Sequence, residues 1–85
     1  MFSKNFFDTP LGINQLIAYE LYVTYGLYQR EIAEYLNCSN NTVANYVRKI
    51  SNYKHLNNFK LVVIAKNDHI QEALQIINSR KLNTR

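Results

Sequence analysis

Eighty-five residues with ten Lys/Arg against six Asp/Glu, one cysteine and two glycines describe a single small basic domain over residues 1–85. The lone Cys38 excludes an intrachain disulfide and fits a reducing compartment, and two glycines exclude a glycine-rich phosphate loop. The formal charge of +4 favours an anionic partner, the more so because residues 35–67 carry five basic side chains and no acidic one.

At the N-terminus, Phe2, Phe6 and Phe7 are too aromatic for a free tail, so Phe6 or Phe7 is expected to pack on the domain. Asp8, Thr9 and Pro10 interrupt any leader-like apolar core. Thr9-Pro10 is a helix start, a hydroxyl cap followed by proline at the first helical position. Apolar residues at 13, 16, 17 and 21 recur at helical spacing, and Gly26 stops the pattern, giving a first helix over Pro10–Tyr25.

A short second helix follows over Gln29–Leu36, with Ile32, Ala33 and Leu36 inward and Arg30, Glu31 and Glu34 outward. Asn37 then suits a left-handed residue, Cys38 a small buried plug, and Ser39 the cap of a third helix over Asn40–Tyr53. Val43, Tyr46, Val47 and Ile50 make its apolar stripe. Two short helices broken by a few polar residues read as a helix-turn-helix. Ala33 lets the helices cross closely, and Leu36, Cys38, Val43 and Val47 fix their angle. The front of the third helix is then Asn40, Asn41, Ala44, Asn45 and Arg48, the base-reading set: Asn pairs bidentately with adenine, Arg with guanine, and alanine meets a thymine methyl. Tyr28, Arg30, Thr42, Lys49, Lys54 and Lys60 surround it as contacts to the DNA backbone.

The string "REIAEYLNCSNNTVANYV" resembles the helix-turn-helix superfamily of bacterial and phage DNA-binding transcriptional regulators. The resemblance covers residues 29–50 and extends to the first helix, and it is carried by Ala33 midway in the first helix of the pair, Ser39 at the cap, and Thr42-Val43 opening the second. Asn37 stands where that family usually has glycine, and Tyr46 where it usually has a smaller aliphatic. The resemblance implies sequence-specific binding of double-stranded DNA and transcriptional regulation, with the third helix in the major groove. The alternative is a protein–protein adaptor or accessory subunit that uses the same scaffold without reading bases.

After the 9–53 core, the β-branched run "FKLVVIA" at 59–65 reads as a short strand, followed by a helix over His69–Ser79 and a frayed "RKLNTR" tail. The expected architecture is therefore mostly α: a three-helix core, then a strand or hairpin and a C-terminal helix, with a winged-helix-like variant in reach. The strand needs a partner. Residues 54–56 through Asn57-Asn58, the segment near Phe6, or a second subunit would each supply one. The excess of apolar side chains favours the second subunit. Residues 54–85 are thus read as a homodimerisation unit, its interface Leu61, Val62, Val63, Ile64, Leu74, Ile76 and Ile77.

Other chemistry is not suggested. Neither His55 nor His69 has a cysteine or second histidine at metal spacing, Asp68, His69 and Glu72 lack a fourth ligand, no nucleophile–base–acid signature recurs, and no enzyme activity or cofactor is expected. The longest apolar run, residues 61–65, is far short of the roughly 20 residues of a membrane span, so the chain is read as cytoplasmic.

Overall fold

The computed structural model describes residues 4–53 and 59–83, and every regular element among them is helical. A 3₁₀ turn over Lys4–Asp8 leads into α1, Pro10–Tyr19, as the Thr9-Pro10 pair predicts. Thr9 is extended (φ −89°, ψ 153°). Its hydroxyl accepts from the Gly12 N–H at 3.0 Å and donates to the Phe6 carbonyl at 2.6 Å. That arrangement folds the 3₁₀ turn back onto α1 and buries Phe7. The approach is backbone to backbone: a Cβ on Gly12 would collide with the Phe6 carbonyl oxygen.

The first helix does not stay α-helical to residue 25. Over Glu20–Thr24 it widens into a π-helical turn, closed by the Tyr25 N–H donating to the Glu20 carbonyl at 3.2 Å. Gly26, at φ 69°, then takes the left-handed conformation that terminates the run. The Leu27 N–H returns to the Leu21 carbonyl at 2.9 Å. α2 spans Gln29–Leu36 and α3 Asn40–Ser51, two residues shorter than expected, because Asn52 and Tyr53 tighten into bonds to Lys49 and Ile50.

The expected strand is wrong. Phe59–Ala65 is a helix, α4, so there is no strand, hairpin or wing among the described residues. Burial shows why. Phe59 and Val62 are buried and Val63 half-buried, whereas Lys60, Leu61, Ile64 and Ala65 are exposed. That is a one-sided stripe at spacings of three and four, and a strand would have put 59, 61, 63 and 65 on one face. The β-branched penalty in a helix is only about 0.5 kcal/mol per residue. Burying Phe59 and Val62 against Phe7, Leu16, Tyr19 and Ile50 outweighs it. A helix also pairs its own backbone groups, which removes the demand for a strand partner. The proposed hairpin arm at 54–58 lies outside the described residues.

The chain bends at Lys66 and continues as α5, Asn67–Asn83. This helix starts earlier and ends later than expected: residues 80–83, assigned to a frayed tail, are helical. Lys66 Nζ bonds Asp8 Oδ1 at 2.8 Å, joining the α4–α5 bend to the N-terminal turn. The main core collects Ile17 and Leu21 from the first helix, Ile32 and Ala33 from α2, Val43 from α3, and Ile70, Ala73 and Ile77 from α5. Gly12→Ala is expected to lower stability by about 1–3 kcal/mol, because the colliding atom belongs to the backbone and cannot rotate away. The urea midpoint, with an unchanged slope, measures it.

Candidate nucleic-acid interface

Local chemistry fixes how α2 meets α3. Tyr28 is extended ahead of α2, and its N–H donates to Glu31 Oε1 at 3.0 Å, one half of a capping box. At the other end, Asn37 takes φ 58°, ψ 51°, the left-handed conformation expected of it. The Cys38 N–H then donates back to the Ala33 carbonyl at 3.0 Å, closing the helix end. Ser39 is extended, and its Oγ accepts from the Thr42 N–H at 3.1 Å and lies 2.9 Å from Thr42 Oγ1. Such a cap contributes about 1 kcal/mol and, more usefully, sets where α3 begins. Ile32, Ala33 and Val43 are buried at the crossing, with Leu36, Cys38, Tyr46 and Val47 packed partly buried around them.

This leaves Asn40, Asn41, Asn45 and Arg48 exposed along α3, with Ala44 half-buried between them. Arg48 Nη2 donates to Asn45 Oδ1 at 2.6 Å, so these two side chains act as one unit before any ligand arrives. Thr42 is half-buried and tied to Ser39. Lys49 is exposed in the last turn. Tyr28 is exposed, and the Arg30 guanidinium carbon lies 5.9 Å from its ring centroid. Tyr22, Tyr28, Gln29, Arg30 and Asn40 line one concavity, which brings the starts of α2 and α3 to a common surface. Lys60 instead faces a groove on the first helix, lined by Tyr19, Glu20 and Thr24 and by no residue of α2 or α3. Lys54 lies outside the described residues.

Two side chains near this surface escaped the sequence reading. Gln29 opens α2 beside Asn40. Arg80 of α5 shares a second groove, across the turn, with Arg30, Glu34, Asn37, Ser39 and Asn40. The only sequence signal for Arg80 was its place three residues after Ile77 on the buried stripe of α5, which requires the helix to reach it. Of the candidate dimer residues, Val62 and Ile77 are buried inside the subunit, and Val63 and Leu74 are half-buried on its core. Leu61, Ile64 and Ile76 remain exposed at 68%, 70% and 36%.

The charged groups around the turn are organised by Glu31. Burial alone would raise its pKa. The Lys81 ammonium at 2.9 Å, the Tyr28 N–H and the nearby Arg30 more than offset that, and hold the carboxyl below its ordinary 4.5. Burial raises the Tyr35 hydroxyl, with Glu72 adding to the effect and Arg80 opposing it. Burial likewise pushes the Cys38 thiol up. Among the described residues no three His, Cys, Asp or Glu side chains are placed to hold a metal ion, and no helix is long and apolar enough to cross a membrane.

Comparison of the chain with protein-family models, with curated proteins and with solved structures finds no match. Because the folded Glu31 carboxyl is depressed, its bonds to Lys81 and Tyr28 stabilise the fold fully above pH 4.5 and are lost as pH falls through the folded value. Glu31→Gln should therefore be less stable than the parent at neutral pH, with the gap narrowing in acid. Urea midpoints of both proteins from neutral to acidic pH measure the convergence.

Proposed function

We propose that this chain is a sequence-specific double-stranded DNA-binding protein of the cytoplasm that regulates transcription, with α3 lying in the major groove. The observation that carries the reading is the exposed face of α3. It presents three asparagines and an arginine with no acidic side chain, on a helix whose start and tilt are fixed by the Asn37 turn and the Ser39 cap. A helix with its side chains is about 10–12 Å across and the major groove about 12 Å wide, so the face meets base edges directly. The bonded Asn45–Arg48 pair adds a donor fork and an amide donor in fixed relation, suited to adjacent purines. Tyr28, Arg30, Thr42 and Lys49 serve as backbone contacts around it.

Exposed Leu61 and Ile64 on α4 support a homodimer, in which two α3 helices about 34 Å apart read a palindrome. The interface contracts from the set named by sequence to Leu61, Ile64 and Ile76, since Val62 and Ile77 already serve the subunit core.

Selection from a random duplex pool should yield a consensus site. Asn45→Ala should weaken that site by about 1–3 kcal/mol and random duplexes far less. Arg48→Ala should show a non-additive effect with it, because the two share a hydrogen bond. Equal loss on all duplexes would reduce α3 to a backbone contact, and a pool that yields no bound sequence would favour the adaptor function instead.

For the dimer, sedimentation at micromolar concentration should give about 20 kDa against the 10.0 kDa chain. Leu61→Asp with Ile64→Asp should return it to the monomer without unfolding it. A wild-type monomer both with and without a palindromic duplex rules the dimer out.

A further inference from the structure

The C-terminal helix delivers an arginine to the same side of the molecule as the start of α3. Arg80 and Arg30 both line the groove that crosses the α2–α3 turn and ends on Ser39 and Asn40. Arg80 is held there from both sides along α5. Ile77, one turn earlier, is buried in the core, and Lys81, the next residue, bonds Glu31 Oε2 at 2.9 Å. Neither arginine forms an ion pair among the described residues. Glu34 is the acidic side chain on the groove, so two guanidinium groups face one carboxylate there and a net charge of +1 remains.

The chemistry of two exposed guanidiniums selects an oxyanion with several oxygens. A planar five-donor fork matches a phosphodiester bidentately, and a weakly hydrated guanidinium loses little on leaving water. The groove runs directly into Asn40, the first residue of the exposed α3 face. The phosphate in reach when that face meets base edges is therefore one of the duplex's own backbone.

We propose that Arg80 of α5 and Arg30 of α2 clamp one backbone phosphate of duplex DNA beside the α2–α3 turn, making the C-terminal helix part of the DNA-binding surface. The proposal rests on the DNA-binding function of α3 given above.

The test is the affinity of the intact chain for its selected duplex and for a scrambled one, measured from about 50 to 200 mM salt. The Arg30→Gln/Arg80→Gln double variant should weaken both duplexes by the same factor and flatten the log–log salt slope by about 0.9, the value for one phosphate contact, and Arg80→Gln alone should weaken both duplexes in part. Arg80→Lys should keep the slope and lose only part of the affinity. Glu34→Gln, on the same groove, should act in the opposite sense and tighten both duplexes. Helix content by circular dichroism confirms that each variant folds. Among duplexes carrying a neutral methylphosphonate at successive positions, one position should weaken the parent and leave the Arg30→Gln/Arg80→Gln double variant unaffected.

If Arg80→Gln and the Arg30→Gln/Arg80→Gln double variant both keep the parent's affinity and slope while the selected site is still preferred, the clamp is overturned and base reading by α3 stands. A parent chain that binds no duplex overturns both.

Discussion

The arrangement depends on one backbone reversal. At Asn37 the chain turns left-handed, the Cys38 N–H closes onto the Ala33 carbonyl, and Ser39 caps the next helix. These local bonds fix where α3 starts. Ala33, small and buried at the crossing, fixes how near it comes. Into the angle so formed pack Ile17 and Leu21 from the first helix and Ile70, Ala73 and Ile77 from α5. A larger residue at 33 or a β-branched one at 37 would disturb the relation of two helices rather than a single contact.

The charges follow the same geometry. Glu31 is held by Lys81 and the Tyr28 N–H, Asp8 by Lys66, and Glu20 accepts from the Thr24 hydroxyl at 3.0 Å. Three of the six acids are thus engaged within the subunit: Glu31 and Asp8 fasten separate elements together, and Glu20 bonds within its own turn. The α3 face carries cationic and amide groups with no carboxylate of its own. Individually, half-exposed ion pairs contribute only about 0–1 kcal/mol. Their larger effect is to decide which surface keeps an unbalanced positive field.

What the sequence discloses divides by range of interaction. Thr9-Pro10, Gly26, Asn37 and Ser39 act through bonds spanning a few residues, and the helix boundaries they imply appear in the structure to within about two residues. Phe59–Ala65 was misread because its composition speaks for β, while its outcome is set by distant partners, Phe7, Leu16 and Ile50. The helical stripe Phe59, Val62, Val63 was in the sequence, masked by Leu61 and Ile64 beside it. The exposed face of α3 was legible because a capped helix with a known inward stripe has a determined outward one. Arg80 was not, since its position depends on α5 running on to Asn83 and on Lys81 finding Glu31, a contact between remote segments. Gly12 was equally hidden: nothing local announces that a carbonyl will be folded onto it.

The Lys66–Asp8 bridge spans 58 positions, and Phe7 shares its pocket with Phe59 and Val62. Synthesis runs from the N-terminus, so Phe7 emerges long before Phe59 and Val62, which complete its pocket. The first turn folds onto α1 through the local Thr9 bonds, but the far side of the Phe7 pocket closes only once α4 has emerged. The Phe7 pocket is therefore completed late, by a segment about fifty residues further along the chain. During that interval Phe7, Leu16 and Tyr19 form an apolar side of the chain that is only partly covered.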